Sequence, residues 1–230
     1  MANTLGLWCL PWQIPESNGT AVFALVTVIK IIFDYCCAII ALVVLGPAFM
    51  VVALLVLLDS GRPVLYRAIR TGQFGRPFKM YKFRTMVVGA ERLGGPSTGK
   101  NDPRLTRVGG RLRKYKLDEL PQLLNVLKGE MSFVGPRPEV PQYTELYSGD
   151  EKLILTVRPG LTDYSSLKFI NLAEVLGSES VDAFYEEQVR PQKNKLRVKY
   201  AKEHTFWGDL KIIALTLYGI LGGRSWNIID

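Results

Sequence analysis

The stretch YCCAIIALVVLGPAFMVVALLVLL, Tyr35 to Leu58, carries no charge over 24 residues. At about 1.5 Å of rise per residue, a helix of that length spans a bilayer core. Its centre is Gly46-Pro47. Proline lacks the N–H of the helical ladder and crowds the turn before it. Each flanking half is about eleven residues, roughly 17 Å, too short to span a membrane alone. Two arrangements satisfy this pattern: a single kinked span, and a re-entrant helix-break-helix that enters one leaflet and returns. The upstream flank, Ala21 to Asp34, is apolar but carries Lys30 and Asp34. A cleaved signal peptide fits poorly, because the run starts far from Met1, lacks a basic n-region and is too long. Downstream, Arg62, Arg67 and Arg70 place that flank on the cytoplasmic side. Lys30 alone permits either topology.

Charge is distributed as unevenly as hydrophobicity. The 230-residue chain has a net charge of +8, yet Ser60 to Leu120 holds fifteen Lys and Arg against four acids, a local +11. Such a block suits phosphate-bearing partners: nucleotides, nucleic acid or anionic headgroups. Three cysteines (Cys9, Cys36, Cys37) include no CxxC pair, and His204 is the single histidine. Zinc ribbons, disulfide frameworks and multi-histidine metal centres are therefore disfavoured, and a Ser-His-Asp triad would depend on one histidine in a charged segment.

Between Ser60 and Met86, alternation around Phe78, Met80, Tyr81 and Phe83, with glycines at 72 and 75, predicts a β-hairpin. Lys82 and Arg84 lie on its second arm. The loop LGGPSTGKND, Leu93 to Asp102, nearly matches a nucleotide phosphate loop, but Asn101 stands where Ser or Thr belongs. No buried strand precedes it and no helix follows. A surface loop near the site is the better reading. The segment Val181 to Glu203 reads as a charged surface helix. FWGDLKIIALTLYGIL, Phe206 to Leu221, is an apolar helix under 20 residues, suited equally to an interface or to the core.

The chemistry concentrates in RLRKYKLDELPQLLNVLKGEMSFVGPRP, Arg111 to Pro138. Leu120, Leu123, Leu124 and Leu127 fall on one helical face, Pro121 is tolerated near the first turn, and Gly129 closes the helix. Asp118 and Glu119 then stand at its N-terminus, where the dipole favours anions. As plain structure, Asp118 is an N-cap and Glu119 a dipole partner. Beyond the helix, prolines on both sides hold Arg137, and Arg158 precedes Pro159-Gly160. An arginine in a rigid loop can clamp phosphate bidentately at little ordering cost.

YKFRTM (Tyr81–Met86), LDELPQLLNVLKGEMSFVGPRP (Leu117–Pro138), VRPG (Val157–Gly160) and the proline-broken apolar run occur in this order in a known family. On these motifs, which cover most of the chain from about Lys30, the sequence resembles the bacterial sugar transferases, the monotopic polyprenyl-phosphate phosphoglycosyl transferases. The resemblance implies transfer of a sugar-1-phosphate from a UDP-sugar to polyprenyl phosphate, with release of UMP. It implies Asp118 as the nucleophile that forms a phosphosugar intermediate, and Mg²⁺ held by Asp118 and Glu119. Arg113, Arg137 and Arg158 follow as phosphate-binding residues, with Lys82 and Arg84 as weaker candidates. A hard cation suits carboxylate and phosphate oxygens. The resemblance also favours the re-entrant topology, broken at Gly46 and Pro47, at the cytoplasmic face of the bacterial inner membrane. Membrane lipids are then partners, a homodimer is compatible, and nucleic acid is not expected.

Two departures stand out. Gly46 replaces the serine that often precedes the proline, and LTDYSSLKFINLAE after VRPG departs from the usual Gly-x-x-Gln, so the sugar cannot be inferred. The expected architecture is α+β: a mainly helical catalytic domain over 60–230 with a short β-hairpin and interfacial amphipathic helices. A membrane hairpin precedes it over 21–59, and an N-terminal extension over 1–20. Two other classes remain: a membrane-anchored nucleic-acid-binding module, marked by salt-sensitive binding, and a lipid-binding scaffold indifferent to Asp118 and Glu119.

Overall fold

The computed structural model describes residues 20–95, 98–99, 102–172, 175 and 181–222. Residues 1–19 of the expected N-terminal extension, and Lys100 and Asn101 of the phosphate-loop near-match, lie outside this set. The chain is mainly helical, with two small sheets. Helix α1, Thr20–Ser60, is followed by strands β1 (Leu65–Thr71) and β2 (Pro77–Phe83), paired antiparallel with Lys82 opposite Tyr66. This is the expected hairpin, turned at Gly75 with φ 74°. Helix α2 (Arg107–Lys114), a 3₁₀ turn (Leu117–Gln122) and α3 (Leu123–Leu127) lead to β3 (Ser132–Val134). After α4 (Pro141–Thr144) and a second 3₁₀ turn, β4 (Gly160–Thr162) pairs parallel with β3. Helices α5 (Tyr164–Lys168), α6 (Val181–Phe184), α7 (Arg190–Glu203) and α8 (Phe206–Gly222) complete the order.

Helix α1 runs through Gly46 and Pro47 as one element, so the expected interruption does not divide it into two helices. Proline's missing N–H costs one rung of the ladder, and the helix continues on both sides. One face docks on the rest of the molecule along most of its length. Lys30 donates to the Val134 carbonyl (3.1 Å) and pairs with Asp209. Asp34 accepts from the Phe133 amide (3.2 Å). Ala38, Leu42, Leu45 and Phe49 join a cluster with Phe78, Met80, Leu123 and Met131. Val52 and Val56 pack with Phe83 and Leu112, and Asp59 accepts from the Val108 amide (3.1 Å). These positions recur every three or four residues, as one helical stripe must. The opposite face exposes Ile32, Ile39, Val43, Met50, Leu54 and Leu58.

Three local expectations are corrected. The segment after Leu117 begins as a 3₁₀ turn, with Pro121 inside it, and α-helix starts only at Leu123. Leu124 is exposed and so leaves the expected apolar face. The segment 181–203 is not a surface helix: α7 buries Lys193, Asn194, Leu196, Arg197 and Tyr200. Helix α8 packs on the core, one of the two placements weighed for it. Ile212 is buried while Trp207, Leu217 and Tyr218 are exposed.

Candidate active site

A cavity of about 470 Å³ opens between the hairpin, the Asp118 turn, the β3–α4 loop and α7. Thr98 and Gly99 of the glycine-rich loop line it, which places that loop beside the site. Asp118 is buried to 5% exposure on the 3₁₀ turn. It is not an N-cap. That position is Lys116, in left-handed backbone at φ 58°, and no cap bond is made. Among the described residues the Asp118 carboxylate accepts no hydrogen bond, and its Oδ1 is a buried atom without a partner. Burial and the adjacent Glu119 push its pKa up, and Lys82, Arg113 and Lys116 only partly restore the charged form.

Glu119 has the opposite environment. Arg137 grips it with both terminal nitrogens, one at 3.0 Å to Oε2 and the other on Oε1. Lys82 Nζ adds a bond to Oε1 at 2.8 Å. Burial alone would raise the Glu119 pKa, but Arg137 and Lys82 outweigh it and hold the carboxylate well below its usual range. Arg137 is in turn held by its loop. Its amide donates to Asp163 Oδ2 (3.3 Å), while Gly135 and Pro136 bond across to Thr162 and Gly160.

The remaining cations lack such complete partners. Arg113 Nε donates to Thr85 Oγ1 at 2.9 Å, which fixes its direction. Helix α2 can bring it there because Gly109 lies against the Thr85 backbone, where a Cβ would overlap. Burial lowers the pKa of Arg113, Lys116 and Lys82, although nearby Asp118 and Glu119 oppose the shift. Burial opposes every charge in this pocket, pushing the Asp118 carboxylate toward protonation and the cations toward neutrality. A polyanion entering it would stabilise every cation present.

The structure thus brings together Asp118, Glu119, Arg113, Arg137 and Lys82. Arg158 is half-buried and does not line the cavity. Arg84 lies elsewhere: its Nη2 donates to the carbonyls of Ser60 (2.5 Å) and Gly61 (2.7 Å), closing the C-terminus of α1. Sequence reasoning missed Arg70, Glu139, Tyr185, Lys193 and Arg197 as lining residues. Val189, Lys193, Leu196, Arg197 and Tyr200 fall on one helical face, a periodicity that was available beneath the charge.

The fit to magnesium is partial. Among the described residues no group of three His, Cys, Asp or Glu could hold a metal ion. Asp118 has uncommitted carboxylate oxygens, whereas both oxygens of Glu119 are taken by Arg137 and Lys82. Mg²⁺ commonly takes one or two carboxylates and completes its octahedron with water and substrate phosphates. The residues fit that mode through Asp118. A role for Glu119 would require release from Arg137.

Compared with known proteins, residues 25–223 match the family model described as bacterial sugar transferase. The chain is 42% identical over 230 residues to the exopolysaccharide production protein ExoY of Rhizobium meliloti, covering 94% of this chain and 95% of that protein. It is 36% identical over 194 residues to the sugar transferase EpsL of Bacillus subtilis, covering 84% and 88%. It is 34% identical over 218 residues to the UDP-glucose:undecaprenyl-phosphate glucose-1-phosphate transferase of Escherichia coli, covering 90% of this chain but 45% of that longer protein.

Proposed function

Because the chain belongs to the bacterial sugar transferase family, we propose that it is a phosphoglycosyl transferase, moving a sugar-1-phosphate from a UDP-sugar to polyprenyl phosphate. The observation that carries this reading is Asp118: a buried, unpartnered carboxylate facing a cavity rimmed by cations. Asp118 attacks the β-phosphorus, the bond to the bridging oxygen breaks, and UMP leaves with the electron pair. The acceptor phosphate then attacks the aspartyl phosphosugar, the acyl-phosphate P–O bond breaks, and the Asp118 carboxylate is regenerated. An anion cannot approach a diphosphate unless the charge of both is offset. Arg113, Lys116 and Lys82 surround Asp118 for that purpose, and Arg137, paired with Glu119 through both terminal nitrogens, adds its charge to the same wall. Mg²⁺, held by Asp118 and the diphosphate, would supply further charge neutralisation.

Helix α1 supports a monotopic placement. Its docked stripe runs from Lys30 to Asp59, about 45 Å of helix, against a bilayer core of about 30 Å. A helix crossing that core would carry its docked partners with it, including Asp209 and the Val108 amide. A helix seated in one leaflet at the cytoplasmic face of the inner membrane exposes its opposite side to lipid and leaves the docked polar groups out of the hydrocarbon.

The test is incubation with UDP-sugars in nanodiscs without acceptor, followed by intact-mass analysis. A mass increase of one phosphosugar located on Asp118, and UMP release on adding undecaprenyl phosphate, are expected. Turnover with an unmodified and replaceable Asp118 would rule the mechanism out.

A further inference from the structure

The cavity contains a second cationic centre that the proposed chemistry at Asp118 does not use. Lys193 lies on α7 at 5% exposure and lines the cavity. Its ammonium sits 5.2 Å from the centre of the Tyr185 ring and 5.6 Å from that of Phe169. Among the described residues it makes no hydrogen bond or ion pair. A lysine in this state has given up part of its water for two aromatic faces, which replace only part of the lost solvation. Glu139, which acts on it through space, is bonded to other groups through Oε1, which pairs with Arg197 at 2.8 Å and accepts from Tyr185 Oη at 2.6 Å. The Lys193 ammonium, with no acceptor among the described side chains, therefore opens onto the cavity volume.

This centre is adjacent to the Asp118 centre and separate from it. The charges that act on Lys193 are Arg197, Glu139, Arg137 and Asp163. Those that act on Asp118 are Glu119, Lys82, Arg113 and Lys116. Arg137 belongs to both environments, since Asp118 and Asp163 both act on it. Two groups of cations that share Arg137 in one cavity match a reaction that brings two phosphate groups together.

We propose that Lys193 forms a second phosphate subsite, taking a phosphate oxygen other than those of the group attacked by Asp118. This rests on the phosphoglycosyl transferase reading, and the shared ligand chemistry is a phosphate ester, from the nucleotide or from the lipid acceptor. Burial and Arg197 push the Lys193 pKa down to about 7, against the opposing charges of Glu139 and Asp163. An anion binds the protonated form, so ligand affinity at this subsite declines as pH rises through that value.

The experiment is calorimetric titration of the full chain in nanodiscs with UMP and, separately, with a short-chain prenyl phosphate. Neither requires turnover, so failure of the subsite is distinguishable from failure of the proposed reaction, which is read by UMP release from UDP-sugars. Lys193→Met should weaken one of the two ligands about 10- to 100-fold, the size of a charged hydrogen bond. The ligand affected identifies the source. Lys193→Arg, which retains the cation, should restore most of that affinity and abolish the decline seen in the parent between pH 6.5 and 8.5. Unchanged affinity for both ligands in Lys193→Met overturns the proposal. So does a loss that follows the melting temperature and is not recovered by Lys193→Arg.

Discussion

Asp118 and Glu119 are neighbours in sequence with opposite electrostatic positions. The Asp118 carboxyl is raised by burial, so its charged form costs stability at neutral pH and that cost disappears as pH falls through its folded pKa. Asp118→Asn should therefore abolish phosphosugar labelling and product while leaving the melting temperature at pH 7 no lower than the parent's. A marked thermal loss would assign Asp118 a structural role. Glu119 runs the other way. Its folded pKa lies below the ordinary 4.5, so its stabilisation is present above that pH and is lost as pH falls through the folded value. Glu119→Gln leaves Arg137 and Lys82 without their counter-charge and should cost on the order of 2–4 kcal/mol, the partial exposure of the pair keeping it under the buried limit. Thermal unfolding of the purified variant measures it. The residues of this centre are legible in the sequence because Arg113, Asp118, Glu119 and Arg137 fall within one contiguous motif. Lys193 and Arg197 are not, because their burial depends on Glu139, Asp163, Phe169 and Tyr185. Those partners come from other segments, and local composition shows only a charged helix.

Among the elements, the hairpin and the apolar helix follow directly from alternation and from uninterrupted hydrophobicity. The Asp118 turn does not, because the leucine spacing fits an α-helix whereas Leu117–Gln122 winds as 3₁₀ and Leu124 ends exposed. The docking of α1 is equally hidden. Lys30 and Asp34 read in isolation as charges interrupting a membrane helix, yet they are the groups that fasten it to β3, α7 and α8. Lys30→Met should leave Asp209 buried without its cation and cost about 3 kcal/mol or more. Lys30→Met combined with Asp209→Leu should recover part of that loss, because the stranded charge is gone. A double-mutant cycle on thermal stability in detergent measures the coupling, and strictly additive losses would show that the pair does not fasten the helix. Helix α2 offers a second test. Gly109→Ala places a Cβ on the Thr85 backbone, so α2 must retreat and carry Arg113 out of reach of Thr85 Oγ1. Turnover should fall at least about 10-fold, consistent with the sensitivity of positioned charges to small displacements. Gly110→Ala, where a Cβ meets nothing within 4 Å, is the matched control for folding and should leave the melting temperature near the parent's.

Considered as a whole, the molecule joins a cavity rimmed by cations to an unusually apolar exterior. Among the described residues one helix is long and apolar enough to cross a membrane, and most of its surface is uncovered by protein. Helix α8 adds Trp207, Leu217 and Tyr218, and an indole with 78% exposure is typical of an interfacial anchor. Exposed apolar area on this scale would drive aggregation in water, so lipid is its natural solvent. The docked stripe and the exposed face of α1 therefore make separable demands. Val43 and Met50, each 74% exposed, belong to the lipid-facing side and contact none of the hydrophobic clusters that hold the helix to the domain. Val43→Lys and Met50→Lys should keep the melting temperature in detergent while weakening membrane partition. A lysine buried in hydrocarbon costs about 2.5–3.5 kcal/mol, roughly 100-fold in partition, and less if the chain snorkels to the headgroups. Vesicle flotation measures this directly. If both variants float like the parent, positions 43 and 50 lie near the headgroups rather than in the acyl region, and α1 must sit shallower than its hydrophobicity implies.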